Sequence, residues 1–223
     1  MDAGIIICDP ILLMQTFCLP GKRAGREAMS HNLISVEIMG QRLALETRPE
    51  LFSPEHVDRG TLAMLSCAHF QPGMHVLDLG CGCGVVGILA ARICGEENII
   101  MSDINPMAVW IAQKNAEKNG VPNVQVVVSD GFSQVDASGF DLILSNPPYQ
   151  SDFSVAKAFI EKGFNRLKIG GKLLMVTKRR EWYRNKIAGI FGGVHIHEIE
   201  GYFVFEADKR QSRYAKKCHS AEK

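Results

Sequence analysis

The chain has no internal repeat, no low-complexity segment and no apolar stretch long enough to span a bilayer as a helix. Those absences set aside solenoid, compositionally biased and helical membrane architectures. Its seven cysteines, Cys8, Cys18, Cys67, Cys81, Cys83, Cys94 and Cys218, are odd in number and scattered. They lack the paired spacing of a zinc site or of a secreted disulfide framework, so no metal is expected and a reducing cytosol is the simplest home. Excess charge is lacking too: the formal net charge is +1, which by itself argues neither for nor against a nucleic-acid partner. The apolar run at residues 4–8 has Asp2 where a secretion signal carries a positive flank, and Asp9-Pro10 interrupts it. A soluble, cytoplasmic protein is expected, with no membrane contact.

What is present is enough hydrophobic content, 46% of 223 residues, to bury one sizeable core. The expected organisation is an N-terminal extension with a β-hairpin over residues 1–50, a single larger domain over 51–207, and a basic, flexible tail over 208–223. In the extension, apolar residues alternate over 33–38 and 42–46 around Met39-Gly40-Gln41, the pattern of a hairpin. Ser53 followed by Pro54 reads as a cap and first helical residue, opening a helix to about Phe70 before the break at Gln71-Pro72-Gly73.

Beyond that break, strand-like runs at 75–79, 98–101, 123–128, 140–144 and 171–176 alternate with helical patterns at 85–94, 106–119 and 154–167. A further helix over 181–191 precedes two strands, 194–199 and 202–205, joined through Glu200-Gly201. The alternation predicts an α/β fold: a Rossmann-like, seven-stranded, mostly parallel sheet with helices on both faces and a closing antiparallel hairpin.

Three strand ends carry candidate chemistry. The first reads Asp78-Leu79-Gly80-Cys81-Gly82-Cys83-Gly84, where alternate glycines let the backbone approach a ligand closely before a helix begins. Gly82 to Gly87 also matches the dinucleotide fingerprint as a string, which keeps an oxidoreductase in view. Asp78, however, puts a carboxylate just before the loop; it would repel a pyrophosphate and attract the ammonium of an amino-acid-bearing nucleoside such as S-adenosylmethionine. Asp103 ends the next strand, where a carboxylate can accept from both ribose hydroxyls, with Ile104 and with Asn105, a helix cap, beside it. Asp130-Gly131-Phe132 ends the third, with Asp130 suited to an adenine amine and Phe132 to the ring face; an Asp-Gly turn with a core Phe reads the same.

The fourth strand runs into Asn146-Pro147-Pro148-Tyr149. Two prolines stop the strand rigidly and leave an amide, a proline carbonyl and an aromatic ring at the sheet's carboxyl edge. Such a group can accept both N–H bonds of an exocyclic base amine and stack on the base. That assigns Asn146, Pro147, Pro148 and Tyr149 to catalysis and Asn146 also to the cofactor's neighbourhood.

Together these motifs, with Leu167-Lys168-Ile169-Gly170-Gly171 late in the chain, resemble those of class I S-adenosylmethionine-dependent methyltransferases. Phe52-Ser53 ahead of Asp58-Arg59-Gly60-Thr61 is similar to the segment before the cofactor loop in small-domain ribosomal RNA guanine-N2 methyltransferases. The resemblance implies that Asp78, Gly80 and Gly82 hold the methionine part, Asp103 the ribose and Asp130 with Phe132 the adenine, with Cys81, Gly84 and Gly131 also in the cofactor-binding set. It also implies that Gly60 and Thr61 lie near the cofactor and that a guanine N2 amine of RNA is the methyl acceptor. Tyr149 stands where the guanine-N2 enzymes usually carry Phe, so adenine N6 of RNA and glutamine N5 of a protein remain open. Outside the class, a dehydrogenase and a catalytically silent RNA-binding relative also remain.

Basic residues then bear on the partner. Lys172, Lys178, Arg179, Arg180, Arg184 and Lys186 face only Glu181 over that stretch, and the tail is basic as well. Lys178, Arg179, Arg180 and Arg184 follow the fifth strand at the edge that carries the proline motif, where they are expected to bind RNA phosphates, ribosomal RNA first. Nothing in the sequence fixes an oligomeric state.

Overall fold

A computed structural model describes residues 16–17, 32–49, 51, 55–148 and 153–215. A seven-stranded sheet is built from β4 (Val76–Leu79), β5 (Ile99–Asp103), β6 (Gln125–Val128), β7 (Phe140–Ser145), β8 (Leu167–Thr177), β9 (His195–Ile199) and β10 (Tyr202–Asp208). Their order is β6-β5-β4-β7-β8-β10-β9, with β4 to β8 parallel and β10 antiparallel to both β8 and β9. The chain therefore moves outward from β4 to β6 and returns to β7 on the other side of β4. A crevice opens at the carboxyl ends of β4 and β7, the usual ligand position in such sheets.

Strand periodicity decides how the two faces fill. Val76, Leu174 and Val176 point to one core with α1 (Arg59–Cys67), α2 (Val85–Cys94) and α3 (Pro106–Lys118). Leu77, Leu79, Leu173 and Met175 point to the other, filled by α4 (Phe153–Arg166) and α5 (Glu181–Phe191). Both faces are covered, which explains why the central strands read as continuous apolar runs.

The extension forms the expected hairpin, β2 (Asn32–Ile38) and β3 (Gln41–Thr47), joined by Met39-Gly40 with φ of 51° and 71°. Two positive φ values match a type I′ turn, whose twist suits the flanking strands. A two-residue strand the alternation did not predict, β1 (Thr16–Phe17), pairs with β2 opposite Val36 and Ser35. The hairpin does not stand apart: Ile34, Val36, Leu43 and Leu45 join the core beneath α2 and α3. Its outer edge is finished by side chains rather than by a strand. Asn115 accepts from the Glu46 N–H at 2.7 Å and donates to its carbonyl at 2.9 Å, and Asn119 treats Ala44 the same way at 2.9 Å each. Two amides on successive turns of α3 thus satisfy the backbone of an open edge.

Element limits depart from expectation most at the start of α1 and at the junction of α4 with β8, and β10 runs three residues past its expected end at 205. Helix α1 starts at Arg59, because Asp58 caps it by accepting from the Thr61 N–H at 2.9 Å; Glu55 and His56 are bends, and Ser53 and Pro54 lie outside the described residues. At the other end of the domain α4 stops at Arg166 and β8 begins at Leu167, before the glycine pair rather than after it. Past β10 the chain stays packed to Ala215: that residue's N–H reaches Ile190, Tyr214 donates to the Glu161 carbonyl at 3.1 Å, and buried Lys209 donates to Leu167 at 2.6 Å. No helix among the described residues is long and apolar enough to cross a membrane.

Candidate active site

A cavity of about 360 Å³ occupies the crevice, lined by the ends of β4, β5 and β7, the turn after β6, the start of α1 and one face of α4. Its floor is the glycine loop. The N–H groups of Gly80 and Cys81 both donate to the Ser102 carbonyl, and Gly82 donates to Asp103 Oδ2 at 2.9 Å. Gly80, Gly82 and Gly84 all have positive φ, so the loop can coil this tightly only without side chains there. Gly87 acts differently: a methyl group on it would lie 2.2 Å from Met101, so this glycine is what lets α2 sit down on β5. The dinucleotide-like string is thus used for close packing, with the carboxylate of Asp78 beneath it.

Asp78 is fully buried at the start of α2, where its Oδ2 accepts from the Gly87 N–H at 2.8 Å. Burial lifts its pKa to about 7, against the Gly87 hydrogen bond and with the nearby Asp103 carboxylate adding to the rise. Among the described residues no cation pairs with it. Asp103 is held the other way, by backbone: Oδ2 accepts from Gly82 and Oδ1 from the Asn105 N–H at 2.9 Å, while Asn105 in turn caps α3 through Met107. Burial pushes the Cys83 thiol up to about 11 and that of Cys81 well above its usual range, so both stay protonated at neutral pH.

Most of the sequence-predicted residues meet in this cavity: Thr61, Asp78, Gly80, Cys81, Gly82, Asp103, Ile104, Asn105, Asp130, Gly131, Asn146, Pro147 and Pro148 all line it. Ile104 is 65% exposed beside Asp103, an apolar group held at the rim. Three expectations require correction. Phe132 does not reach the cavity; it is buried in the α4 core with its ring edge-on to Phe159, and Phe159 is the ring that lines the site. Neither Gly60 nor Gly84 lines the cavity: Gly60 is buried within α1, and Gly84, at positive φ, lies beneath α3, where a methyl group would come 3.2 Å from Ala112. Tyr149 lies outside the described residues.

The Asn-Pro-Pro turn is tied to the loop by Ser145, whose buried hydroxyl donates to the Leu79 carbonyl at 2.8 Å. Asn146 Nδ2 donates to Asp58 Oδ2 at 2.8 Å and to Thr61 Oγ1 at 3.0 Å. A carboxylate only accepts, so the amide nitrogen must face Asp58, and the oxygen is the end not committed to α1. Sequence reasoning missed Asp58 and Phe159. The Asp-x-x-Thr spacing of a helix cap could have marked Asp58; for Phe159, deep in a helical pattern, no local signal exists.

Among the basic residues, Lys178, Arg179 and Arg180 are exposed immediately after β8, on the same edge as Asn146. Each cation lies over a ring: Lys178 over Tyr202, Arg179 over Phe153 and Arg180 over Phe203, at 4.8, 5.0 and 5.7 Å. The others differ. Arg184 pairs with Glu181 at 2.7 Å, and Lys186 pairs with Glu161. Lys172 stands at the opposite end of the parallel register, bridging Glu206 and Asp208 at 2.6 and 2.8 Å.

The strand order, the glycine loop after β4 and the Asn-Pro-Pro turn after β7 define a methyltransferase of Rossmann-like fold. The chain belongs to the methyltransferase small domain family, which it matches over residues 42–206. It is 34% identical to the uncharacterized protein YbxB of Bacillus subtilis, over 71% of this chain and 82% of that one. It is 35% identical to ribosomal RNA small subunit methyltransferase C of Hahella chejuensis, over 69% of this chain and 46% of the relative. Among solved structures it is similar to the Thermus thermophilus 16S rRNA N2 G1207 methyltransferase in complex with AdoMet and guanosine, with a TM-score of 0.76 and 27% identity over 85% of this chain and 53% of that one. The chain thus spans about half the length of the ribosomal RNA methyltransferases it matches.

Proposed function

We propose that the chain transfers a methyl group from S-adenosylmethionine to the exocyclic N2 amine of a guanine in ribosomal RNA, in the cytoplasm. The observation that carries this reading is the amide of Asn146, held by its nitrogen at the cavity wall with its oxygen as the acceptor end, next to an acidic, glycine-floored cradle. The cradle fits the cofactor group by group. Asp78 is a buried carboxyl that no cation pairs with among the described residues, suited to the ammonium of the methionine part. Asp103 accepts at the ribose, Ile104 and Phe159 offer apolar surface to the adenine, and Asp130 stands at its edge. When bound, S-adenosylmethionine supplies an electrophilic methyl group on a positively charged sulfur.

The chain's own residues do the rest. An exocyclic amine is a poor nucleophile because its lone pair is delocalised into the ring. Hydrogen bonds from its two N–H groups to Asn146 Oδ1 and the Pro147 carbonyl draw the nitrogen toward a pyramidal shape, with the lone pair turned to the methyl group. The same two acceptors stabilise the positive charge that develops on nitrogen. No strong base is required, since the methylated amine is acidic and loses its extra proton to water. Lys178, Arg179 and Arg180 supply the phosphate contacts, with Arg184 at the margin. The named relatives support ribosomal RNA as the substrate and guanine as the base.

The test is transfer of labelled methyl groups to ribosomal RNA followed by nucleoside analysis. N2-methylguanosine is expected. Asn146→Ala should lower turnover on the order of 10²–10³-fold, as loss of a transition-state acceptor does, and keep cofactor affinity within about threefold. Label in N6-methyladenosine or in protein, or a fully active Asn146→Ala, overturns the reading.

A further inference from the structure

Asn146 is useful only if its oxygen, not its nitrogen, meets the substrate amine. The two ends of a carboxamide are nearly the same size, and rotation by half a turn exchanges them. A flipped amide would present N–H to N–H and place a donor beside developing positive charge. Something must therefore set the orientation, and neither Pro147 nor Pro148 has an N–H with which to do it.

A group able to set it, a carboxylate bonded to the amide nitrogen, lies 88 positions away in sequence. We infer that Asp58 is a positioning residue that fixes the hydrogen-bond polarity of the acceptor site, so that the site takes an amine donor and rejects a carbonyl in the same place. A single oxygen, Asp58 Oδ2, accepts from the Thr61 N–H at 2.9 Å and from Asn146 Nδ2 at 2.8 Å. Thr61 closes the triangle, its hydroxyl oxygen accepting from the same Nδ2 at 3.0 Å. A carboxylate has no proton to give, so an inverted Asn146 would set two acceptors against each other in a half-buried place. Asp58 is itself held rigid: it caps α1, whose Met64 and Leu65 are buried in the core.

The inference rests on the reading of Asn146 as the acceptor for the substrate amine, and two variants separate its parts. In Asp58→Ser the hydroxyl still caps α1 through Thr61 and is too short to keep Asn146. In Asp58→Asn the side-chain oxygen can keep both bonds. In nuclear magnetic resonance, the Asn146 side-chain amide protons, identified by their loss in Asn146→Ala, should exchange slowly in the wild type and in Asp58→Asn. They should exchange as an exposed amide does in Asp58→Ser. With that change, kcat should fall tenfold or more in Asp58→Ser, with KM for RNA and for S-adenosylmethionine within threefold, and Asp58→Asn should restore most of the turnover.

A kcat within twofold of wild type in Asp58→Ser, in an enzyme that Asn146→Ala inactivates, overturns the role of Asp58 and leaves the amine-methylation reading standing. Loss of cofactor affinity in step with kcat makes Asp58 merely structural and overturns it too. A fully active Asn146→Ala overturns the reading of Asn146 and the inference with it, even with the slow exchange intact.

Discussion

At the residue scale, the carboxylates were legible and the aromatic was not. Asp78 and Asp103 sit at strand ends beside glycine or a helix cap, so their place at the sheet's carboxyl edge follows from local pattern alone. Phe132 was misplaced because a turn of positive φ at Gly131 precedes it, and only the fold shows that its ring goes inward while Phe159 takes the cavity. Phe132→Leu is expected to lower unfolding free energy by roughly 1–3 kcal/mol and leave cofactor affinity unchanged, whereas Phe159→Leu should weaken affinity severalfold; denaturant unfolding and calorimetry check the pair. Asp78 gives a pH dependence. Its pKa in the fold, about 7, lies above the value of about 3.9 in an unfolded chain, so the stability it contributes is complete below the lower value and lost as pH rises through the upper one. Without cofactor, Asp78→Asn should therefore flatten the fall of Tm between about pH 4 and pH 7 and raise Tm at neutral pH by a few degrees. If Asp78 pairs with the cofactor's ammonium as proposed, binding runs oppositely, because that pairing needs the ionised carboxylate. Affinity should drop toward tenfold per pH unit below 7 in the wild type and be weak and flat in Asp78→Asn, read by titration calorimetry.

At the element scale, the period-2 and helical patterns placed most of the fold's strands and helices closely, because strand faces and helix stripes are set by neighbours in sequence. Boundaries decided by a distant partner were less legible. Ser53-Pro54 and Asp58 offer competing starts for α1, and Asp58 prevails with bonds to both Thr61 and Asn146, the second of which no local window contains. The junction of hairpin and helix is likewise invisible locally: Asn115 and Asn119 look like ordinary polar positions on α3, yet Asn115 alone binds Glu46 twice and the Cys83 carbonyl once. One buried side chain thereby links the extension to the cofactor loop. Asn115→Ala removes three bonds to backbone groups and should cost about 2–4 kcal/mol. Amide exchange at Glu46 should quicken while that at Ala44, held by Asn119, should not, and cofactor affinity should fall, since the loop loses a strut at Cys83. Unchanged exchange at Glu46 with reduced stability would mean that the strand edge is secured some other way.

At the scale of the whole molecule, charge counts along the sequence overstate what an RNA would meet. Of the basic residues between Lys172 and Lys186, the structure commits Lys172 to two carboxylates at the far edge, pairs Arg184 and Lys186 with glutamates, and buries Lys209 from the tail against a helix end. Lys178, Arg179 and Arg180 remain on the active edge, seated on Tyr202, Phe153 and Phe203. Each exposed cation rests over a ring, and β8, which they follow, pairs with β7, which leads into Asn146. If those three contact phosphates, each contact releases counterions and contributes about 0.7 to the slope of log affinity against log salt for a single strand. Replacing all three by Ala should then reduce that slope by about 2 and weaken RNA binding at low salt, with cofactor affinity unchanged. Lys172→Ala and Lys186→Ala should leave the slope where it is, and fluorescence anisotropy with a labelled RNA between 50 and 250 mM salt, a range chosen to span roughly physiological ionic strength, separates the two sets. An unaltered slope in the triple variant would remove this edge from the proposed RNA-binding surface.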